Sequence, residues 1–588
     1  MIWAQACGTM VVQAYGCSGG RQTMVQIGFS IVQGMWLVTV LLSLKLIVDR
    51  VHMLELSMRN VLESANLRKY LNCFCALLLL FGPVAGMRTQ GYELVGAVGD
   101  SGLEAILGLA ATCVLLRFCF LAVNALRAPL KILGQAASRR SVGDFPDLCE
   151  EVEWASRNIT LQVLLVGLNC ALVIVTMNCF VAHLVFCAFY PDYKVISGTF
   201  ISQVMFVGMM AIPGCLEPII NARATLALSG AIHARRRMKQ LNRNKRHRLA
   251  QQWQAKPETP SPQRGLWSRK VEELAGRGIM LSDLLRFYEG LGTSYMLHYD
   301  SGVHTTNDVV RAAIIPLTER CGQPYATMVS GGLPVFPDRM VTHTWSNLFR
   351  DTLAAIVADA IGDCSFVLAM MLLQQPRKLR EILVSKGTLR RSYWICTFSI
   401  SQHLTICNVV PSSEVDPVTG LPHPKCSCGR PKVLNDTPPT RPDGKSIYCE
   451  VNKFADLMAY LAETRRSFGQ VICMDESFKL FQRAWCMAEI WQASVLHLYQ
   501  GLQIRSRRVM SAAMLGAAEV RVENMAASRQ QDVDEILSMI GDSFDFNESL
   551  QHLIFDKHAG LLAEWQTLEA VEVMERVGRL ARVLRTKA

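Results

Sequence analysis

One carboxylate of this 588-residue chain is distinguished by its neighbours. Glu489 lies one helical turn beyond the pair Trp485-Cys486, and this helix follows the short apolar run from Val471 to Met474. A strand, a loop and a helix in this order place helix side chains near the carboxyl end of a sheet, where α/β proteins bind ligands. A fixed carboxylate in a low-dielectric pocket can stabilise the oxocarbenium character of glycosidic bond cleavage. Glu489 is therefore the candidate catalytic residue, and the alternative is a solvated helix carboxylate beside core residues.

A second group of side chains has the chemistry of a metal site. It lies in a stretch, residues 401–451, that is poor in apolar side chains and would gain stability from a bound metal. Imidazole and thiolate groups, the ligands that Zn²⁺ prefers, recur there at close spacing. The predicted ligands of a structural zinc ion are His403, Cys407, Cys426 and Cys428, with Cys449 and His423 as replacements. The alternative is a set of free, buried cysteines.

Strand and helix patterns alternate from residue 337 onward. The runs Met340–Trp345, Tyr393–Ile400 and Gln470–Met474 are rich in apolar and β-branched residues, which is typical of buried strands. Helical spacing occupies the intervals between them, as in Asn347–Ile361. This alternation predicts a parallel sheet covered by helices on both faces, with the residues that follow the strands gathered at one edge.

The segment from about Pro337 to Glu489 resembles a TIR domain in its order of strands and helices before a Trp-Cys-x-x-Glu helix. From about Lys270 onward the chain also resembles a family of algal and other protist multi-pass membrane proteins. The TIR resemblance implies a flavodoxin-like fold, self-association, and hydrolysis of NAD at the nicotinamide glycosidic bond by Glu489. The residues that it implies for nucleotide binding are Trp345, Ser346, Ser399, Arg483 and Trp485.

The first 229 residues indicate a membrane region. Half of the chain is hydrophobic (51%), 19% is charged, and the mean hydropathy is +0.22, which is high for a soluble protein. Spans of about 20 apolar residues are needed to cross a bilayer. Five candidates run roughly Met24–Val48, Leu71–Met87, Leu103–Leu126, Thr160–Tyr190 and Val195–Ile220. The sequence thus predicts an α-helical bundle of about five transmembrane spans before the α/β domain.

The basic residues predict an orientation for these spans. Arginine and lysine cluster in alternate loops and in the run that follows the fifth span, such as Arg235-Arg236-Arg237. Since cytoplasmic loops carry this excess, we expect the N-terminus outside and the α/β domain in the cytosol. The net charge of +11 then reflects a flank of the lipid bilayer, and no nucleic-acid partner is expected.

The predicted organisation has four parts: a transmembrane region (1–229), a basic, proline-containing linker (230–270), a helical segment (271–336) and a TIR-like domain (337–588) with the insert 401–451. Three functions compete for it. The first is a membrane-anchored signalling protein with NAD hydrolase activity, and the second is a non-catalytic interaction module on the same anchor. The third is a channel or transporter with a regulatory cytosolic tail.

Overall fold

The computed structural model divides the chain into two compact units, one formed by residues 1–231 with 570–588 and the other by residues 232–569. Each unit is considered by itself. The structure describes residues 45, 47–49, 51–52, 66–77, 97–137, 147–164, 167, 171, 262–409, 414–510, 525–526, 543–556, 560–563, 565–566 and 573–584.

A five-stranded sheet is the centre of the second unit. Its strands, in chain order, are β1 (Ile279–Met280), β2 (Arg339–Thr342), β3 (Ser392–Ile395), β4 (Gly469–Cys473) and β5 (Tyr499–Gln503). They are arranged in the order β1-β3-β2-β4-β5, and β3, β2, β4 and β5 run parallel. The strand that follows β2 in the chain, β3, lies on one side of β2, and the next two strands, β4 and β5, lie on the other side. The gap between β2 and β4 is the switch point at which such sheets bind ligands.

The predicted parallel sheet is wrong at one edge, because β1 pairs antiparallel with β3 and makes the sheet mixed. This strand comes from the segment that the sequence predicted to be helical throughout. Gly278 explains the break in that helix: its amide donates to the Val335 carbonyl, and a Cβ at this position would lie 2.6 Å from the same oxygen. Only glycine allows the two backbones to approach so closely.

Helices cover both faces of this sheet, as the alternation of side chains along a strand requires. On one face, Tyr393 of β3 donates to Asp359 of the helix α1 (Phe349–Ile361). On the other face, Trp394 donates from its indole to the Leu274 carbonyl. The same face packs against two further helices, α2 (Phe454–Thr464) and α3 (Ala484–Val495).

The remaining elements of this unit are mostly short. They comprise α-helices Pro262–Ala275, Leu281–Gly290, Thr306–Val309, Ile315–Thr318, Tyr325–Val329, Val367–Leu373, Pro376–Lys386, Cys396–Ser399, Gln402–Thr405 and Ser543–Phe555, the π-helix Val310–Ile314 and the 3₁₀-helices Val451–Lys453 and Lys479–Gln482. The second predicted strand, Tyr393–Ile400, is therefore half strand and half helix. The Ser399 hydroxyl accepts from the Ile395 amide and fixes this turn.

The buried carboxylate of Glu450 anchors the insert to the rest of the unit. One of its oxygens lies 2.9 Å from both Lys270 Nζ and Arg277 Nη1, and the other accepts from the Ser401 amide at 2.8 Å. Burial alone would raise the pKa of Glu450, but the charges of Arg277 and Lys270 hold it below its ordinary value. Both ends of the insert, Ser401 and Glu450, are thereby joined to each other and to helix Pro262–Ala275 and the turn that follows it.

The prediction of a five-span bundle is wrong. Among the described residues, the one stretch long and apolar enough to cross a membrane is Leu109–Gln135, within the helix Ala97–Ala137, and a core helix of a soluble protein passes the same test. This stretch overlaps the third predicted span. The first, second and fourth predicted spans are described in part, and the fifth lies outside the described residues.

The helix over residues 147–164 contains the start of the fourth predicted span. It begins before the fourth predicted span and buries Leu148, Val152, Ala155 and Ile159, which recur at helical spacing. A single buried stripe is typical of a helix packed in a globular unit rather than one surrounded by lipid. The C-terminal helix Val573–Leu584 belongs to the same unit, where its buried Arg576 pairs with buried Glu151 at 2.7 Å.

We predict that Glu450→Gln destabilises the second unit at neutral pH by about 3 kcal/mol, because it leaves two partly buried cations without their counter-charge. The pKa of Glu450 is lower in the folded state than in the unfolded state, so its contribution is present above the unfolded pKa of about 4.3 and is lost as the pH falls. Urea denaturation at pH 7 and pH 3.5 measures both effects. The matched control is Glu463→Gln at an exposed position of α2. Equal costs for the two variants at pH 7 would contradict the prediction.

Candidate functional site

Glu489 lies on α3, and its side chain reaches the carboxyl end of the central strand. Its Oε2 accepts a 2.5 Å hydrogen bond from the hydroxyl of Thr342, the last residue of β2. This is the strand next to the switch point. Glu489 therefore lies at the carboxyl end of the central strand, and its role as a site residue stays a prediction.

A chain of amide side chains continues from this contact into the sheet. The Gln470 amide of β4 donates to the Thr342 hydroxyl at 2.7 Å, and Gln500 of β5 donates to Gln470 Oε1 at 2.9 Å. Gln500 also donates to the carbonyl of Ile490, the residue after Glu489. Three strands and α3 are thus joined by polar side chains that satisfy each other, as buried polar groups require.

The environment of Glu489 keeps its carboxyl group neutral. The residue as a whole is partly exposed, yet the atoms packed around the carboxyl group exclude enough water for burial to raise its pKa to about 8. The hydrogen bond from Thr342 opposes this rise without cancelling it. At neutral pH Glu489 must therefore lose its proton before its carboxylate can stabilise a positive charge. Perturbed carboxyl groups of this kind are enriched at functional sites.

The thiols of Cys396 and Cys486 lie near this carboxyl group, and His343 contacts both of them. The partly exposed Cys396 follows β3, and its pKa is raised to about 12 by burial and by the charge of Glu489, against a hydrogen bond with Trp345. His343 Nε2 lies 4.0 Å from Cys396 Sγ, and burial lowers the pKa of this histidine to about 4. Cys486 donates from its thiol to the His343 carbonyl. A neutral thiol beside a neutral imidazole is not an activated nucleophile.

The residues predicted to bind a nucleotide are distributed unequally around Glu489. Trp345 is partly exposed and belongs to this cluster through Cys396, whereas Ser346 is exposed and bonds to the Thr344 hydroxyl. Ser399 is fully buried and bonded within its own turn. Arg483 is the partly exposed residue that precedes α3.

Trp485, the remaining predicted contact, packs largely into the interior. Its ring is 6.1 Å from that of Phe454 in an edge-on arrangement, and it lies against the core cluster around Ile490. Thr342 and Cys396, which were not predicted as site residues, touch or face the carboxyl group more directly. Thr342 ends β2 and Cys396 follows β3, whereas both lie inside the longer predicted strands, and the alternation of faces along the strands was the available signal.

A cavity near His343 is too small for a nucleotide. Its volume is about 10 Å³, which is room for about one water molecule. Its lining is mostly apolar and includes Phe349, Leu353, Ile356 and Phe398. This cavity therefore does not provide the binding site that the TIR resemblance implies.

The four predicted zinc ligands come together in a cluster that could hold a metal ion such as zinc. One ligand atom from each of His403, Cys407, Cys426 and Cys428 lies within 4.8 Å of all the others. His403 and Cys407 follow β3, whereas the Cys-x-Cys pair comes from the middle of the insert. The predicted replacements are elsewhere: Cys449 bonds to Asn435, and His423 bonds to Asp308.

The distances within this cluster match those of a tetrahedral site. Zinc bonds of about 2.3 Å to sulfur and about 2.05 Å to nitrogen imply about 3.8 Å between two sulfurs and about 3.6 Å between sulfur and nitrogen. Cys407 Sγ and Cys428 Sγ are 3.7 Å apart, and Cys426 Sγ is 3.5 Å from His403 Nδ1. The distance between Cys407 Sγ and Cys428 Sγ is too long for a disulfide bond.

The neighbours of the cluster orient its ligands as metal sites require. His403 Nε2 lies 2.9 Å from the Thr318 hydroxyl, which donates to the Ile314 carbonyl. Because that hydroxyl uses its proton on Ile314, His403 Nε2 carries the imidazole proton and Nδ1 faces the sulfurs with a free lone pair. Lys432 Nζ is 2.9 Å from Cys407 Sγ and places a positive charge beside a sulfur that must ionise to bind metal.

The insert carrying this cluster is attached to the unit at several places. Its described hydrogen bonds reach Glu319, Cys321 and Gly322, and Glu450 adds its ion pairs. Further bonds reach Asn307, Asp308 and Arg311. Gln402 of the insert also donates to the carbonyl of Cys396, near Glu489.

Comparison of the chain with protein-family models, with curated proteins and with solved structures found no match. The site therefore has to be interpreted from its own geometry.

We predict that Glu489→Gln stabilises the second unit above neutral pH. In the wild type the folded pKa of about 8 exceeds the unfolded value of about 4.3, so the unfolded state loses this proton first and stability falls as the pH rises between the two. Glutamine stays neutral, and the variant should exceed the wild type by on the order of 3 to 4 kcal/mol at pH 7 and equal it near pH 4. Urea denaturation across this range, with Glu463→Gln as control, measures the difference. A glutamine variant less stable than the wild type at pH 7 would refute this account of the carboxyl group.

Proposed function

We propose that the second unit is a TIR-like signalling domain that hydrolyses NAD at the nicotinamide glycosidic bond, with Glu489 as the catalytic carboxylate. The observation that carries this proposal is the position of that carboxyl group at the carboxyl end of β2, beside the switch point. The order of the four parallel strands supports the TIR resemblance, because flavodoxin-like sheets have the same order. Trp345 is the aromatic residue that we assign to contact the nicotinamide or adenine ring.

In the first step the bond between the ribose C1′ and the nicotinamide nitrogen breaks. The electron pair of this bond stays on the nitrogen and leaves with nicotinamide. The positive charge that develops on the ribose is stabilised by ionised Glu489, and water then adds to C1′ and releases a proton. The cationic nicotinamide ring favours loss of the Glu489 proton when the substrate binds. Thr342 holds the carboxylate by its hydrogen bond. The products are nicotinamide and ADP-ribose.

A non-catalytic interaction module is the second candidate, and one observation favours it. The hydrogen-bond chain from Glu489 through Thr342 and Gln470 to Gln500 is what a purely structural carboxyl group would have. In that case the domain acts by self-association alone, and nucleotide turnover plays no part.

We predict that the full-length protein releases nicotinamide from NAD, and that Glu489→Gln lowers kcat by at least about 100-fold. Since the ionised form is required, kcat/KM should rise with pH and level off above about 8. Chromatographic detection of nicotinamide between pH 6 and pH 9.5 measures both. Glu463→Gln, on the exposed side of α2, is the control that should keep full activity. An inactive wild type at every pH would favour the interaction module.

We propose further that the insert cluster binds one structural zinc ion, which holds the insert in place. Zinc supplies four ligand bonds that tie two distant parts of the insert together and neutralises their thiolates. The match of the sulfur and nitrogen distances to tetrahedral coordination supports this assignment. The role is structural because all four positions are taken by protein side chains.

We predict that Cys428→Ser removes one equivalent of zinc from the purified protein and lowers its zinc affinity at least about 100-fold, since even second-shell changes cost about 10- to 100-fold. Metal analysis by mass spectrometry and the thermal unfolding midpoint with and without chelator measure the two effects. Cys321→Ser is the matched control, because Cys321 is exposed and outside the cluster. If the Cys428→Ser variant retained all of its zinc, the proposal would be contradicted.

We also propose that the chain is attached to a lipid bilayer through its N-terminal unit, with the second unit in the cytosol. The support is the apolar stretch Leu109–Gln135 and the high mean hydropathy of the chain. Attachment at a surface would raise the local concentration of the second unit and favour its self-association.

A further inference from the structure

Two histidines and an aspartate form a cluster that neither the NAD chemistry nor the zinc cluster uses. His298 and His304 lie in the loop after helix Leu281–Gly290, and Asp416 lies in the insert. Asp416 Oδ2 is 2.7 Å from His298 Nε2 and 3.3 Å from His304 Nε2. One ligand atom from each residue lies within 4.8 Å of the others.

The carboxylate of this cluster is fixed in place. Its Oδ1 accepts from the amides of Val418 and Thr419, at 3.0 and 2.9 Å, which directs Oδ2 towards the two imidazoles. A carboxylate held with one free oxygen towards two imidazole nitrogens is an arrangement of hard and borderline ligands for a divalent metal ion.

The surroundings of His304 also suit metal binding. Its Nδ1 lies 2.8 Å from the Asp300 amide nitrogen, which can donate to it, and 3.1 Å from the Asp300 carbonyl oxygen; a metal on Nε2 requires the imidazole proton to be on Nδ1, bonded to that carbonyl. Metal-binding histidines usually donate their other N–H to such a group. The ring is completely buried and stacked on Tyr299, with centroids 5.6 Å apart, so its plane is fixed.

We propose that His298, His304 and Asp416 form a second metal site, which binds a divalent first-row transition metal such as Zn²⁺ or Co²⁺. Bonds of about 2.1 Å at angles between 90° and 109° imply about 3.0 to 3.4 Å between neighbouring ligand atoms. The observed 2.7 and 3.3 Å need shifts of a few tenths of an ångström. Three protein ligands leave at least one coordination position for water, and the exposed fraction of the His298 side chain, 36%, shows that solvent reaches the site.

This site differs in kind from the zinc cluster of the insert. It has no sulfur ligand, and it keeps an open position, as sites with exchangeable water do. It joins the loop 298–304 to a part of the insert that precedes the Cys-x-Cys pair. Occupied by metal, it adds a link between the insert and the rest of the unit to the Glu450 ion pairs and the bonds at Glu319.

The test uses the full-length protein, stripped of metal by a chelator and titrated with Co²⁺. We expect two bound equivalents, of which one gives the thiolate-to-cobalt absorption of the cysteine cluster and the other gives weaker absorption without it. His298→Gln removes a metal ligand, while its amide can still donate to Asp416 and preserve the fold. This variant should lose the second equivalent, with at least a tenfold weaker affinity, and retain the thiolate absorption.

His552→Ala is the matched control, since His552 is an exposed histidine on helix Ser543–Phe555 and should leave both equivalents unchanged. Circular dichroism checks that each variant is folded. The proposal is overturned if the wild type binds only the thiolate-linked equivalent, or if His298→Gln and the wild type bind two equivalents with equal affinity. In either case the three residues are a hydrogen-bonded group only.

Discussion

The buried charge of Glu450 is the constraint on which the arrangement of the second unit depends. A carboxylate removed from water must be paired, and here two cations from Lys270 and Arg277 and one backbone amide satisfy it. Arg277 also donates to the Ser399 carbonyl, so the same group of contacts fixes the exit from β3. The insert is long and poor in apolar residues, yet it begins and ends at one defined place for this reason.

With its ends fixed, the insert brings chemically distinct groups to two positions. The cysteines and His403 gather where the chain leaves β3, and Asp416 reaches the histidines of the loop 298–304. Both clusters could hold a metal ion, and they lie in a segment poor in apolar residues, which is where a bound metal contributes most to folding. The insert can therefore be regarded as a separately fastened attachment beside the sheet, with the edge around Glu489 formed by the sheet and α3.

That edge combines a structural and a chemical property in one residue. The polar chain from Gln500 to Glu489 joins three strands to α3, and it also holds a carboxyl group whose proton is lost near pH 8. A group kept neutral by its surroundings costs little stability until it ionises. If a cationic ligand triggers that ionisation, binding energy offsets the cost, which links occupancy of the edge to the packing of α3.

The sequence by itself determined the chemistry of the candidate sites. The pattern of imidazole and thiolate side chains identified the four residues of the metal cluster, which are brought together as predicted, because ligand type is a property of single residues. The apolar runs of β2, β3 and β4 and the place of Glu489 after them could also be predicted, since strand periodicity is local. The assignment of Glu489 to catalysis stays a prediction.

Only the tertiary structure decided the remaining features. Apolar content predicted five spans, whereas among the described residues one helix is long and apolar enough to cross a membrane. The strand β1 has two residues and exists because Gly278 lets the backbone approach Val335. The pairing of Asp416 with His298 and His304 spans more than a hundred residues of chain. Such contacts depend on how distant segments pack together, and no local pattern of residues encodes them.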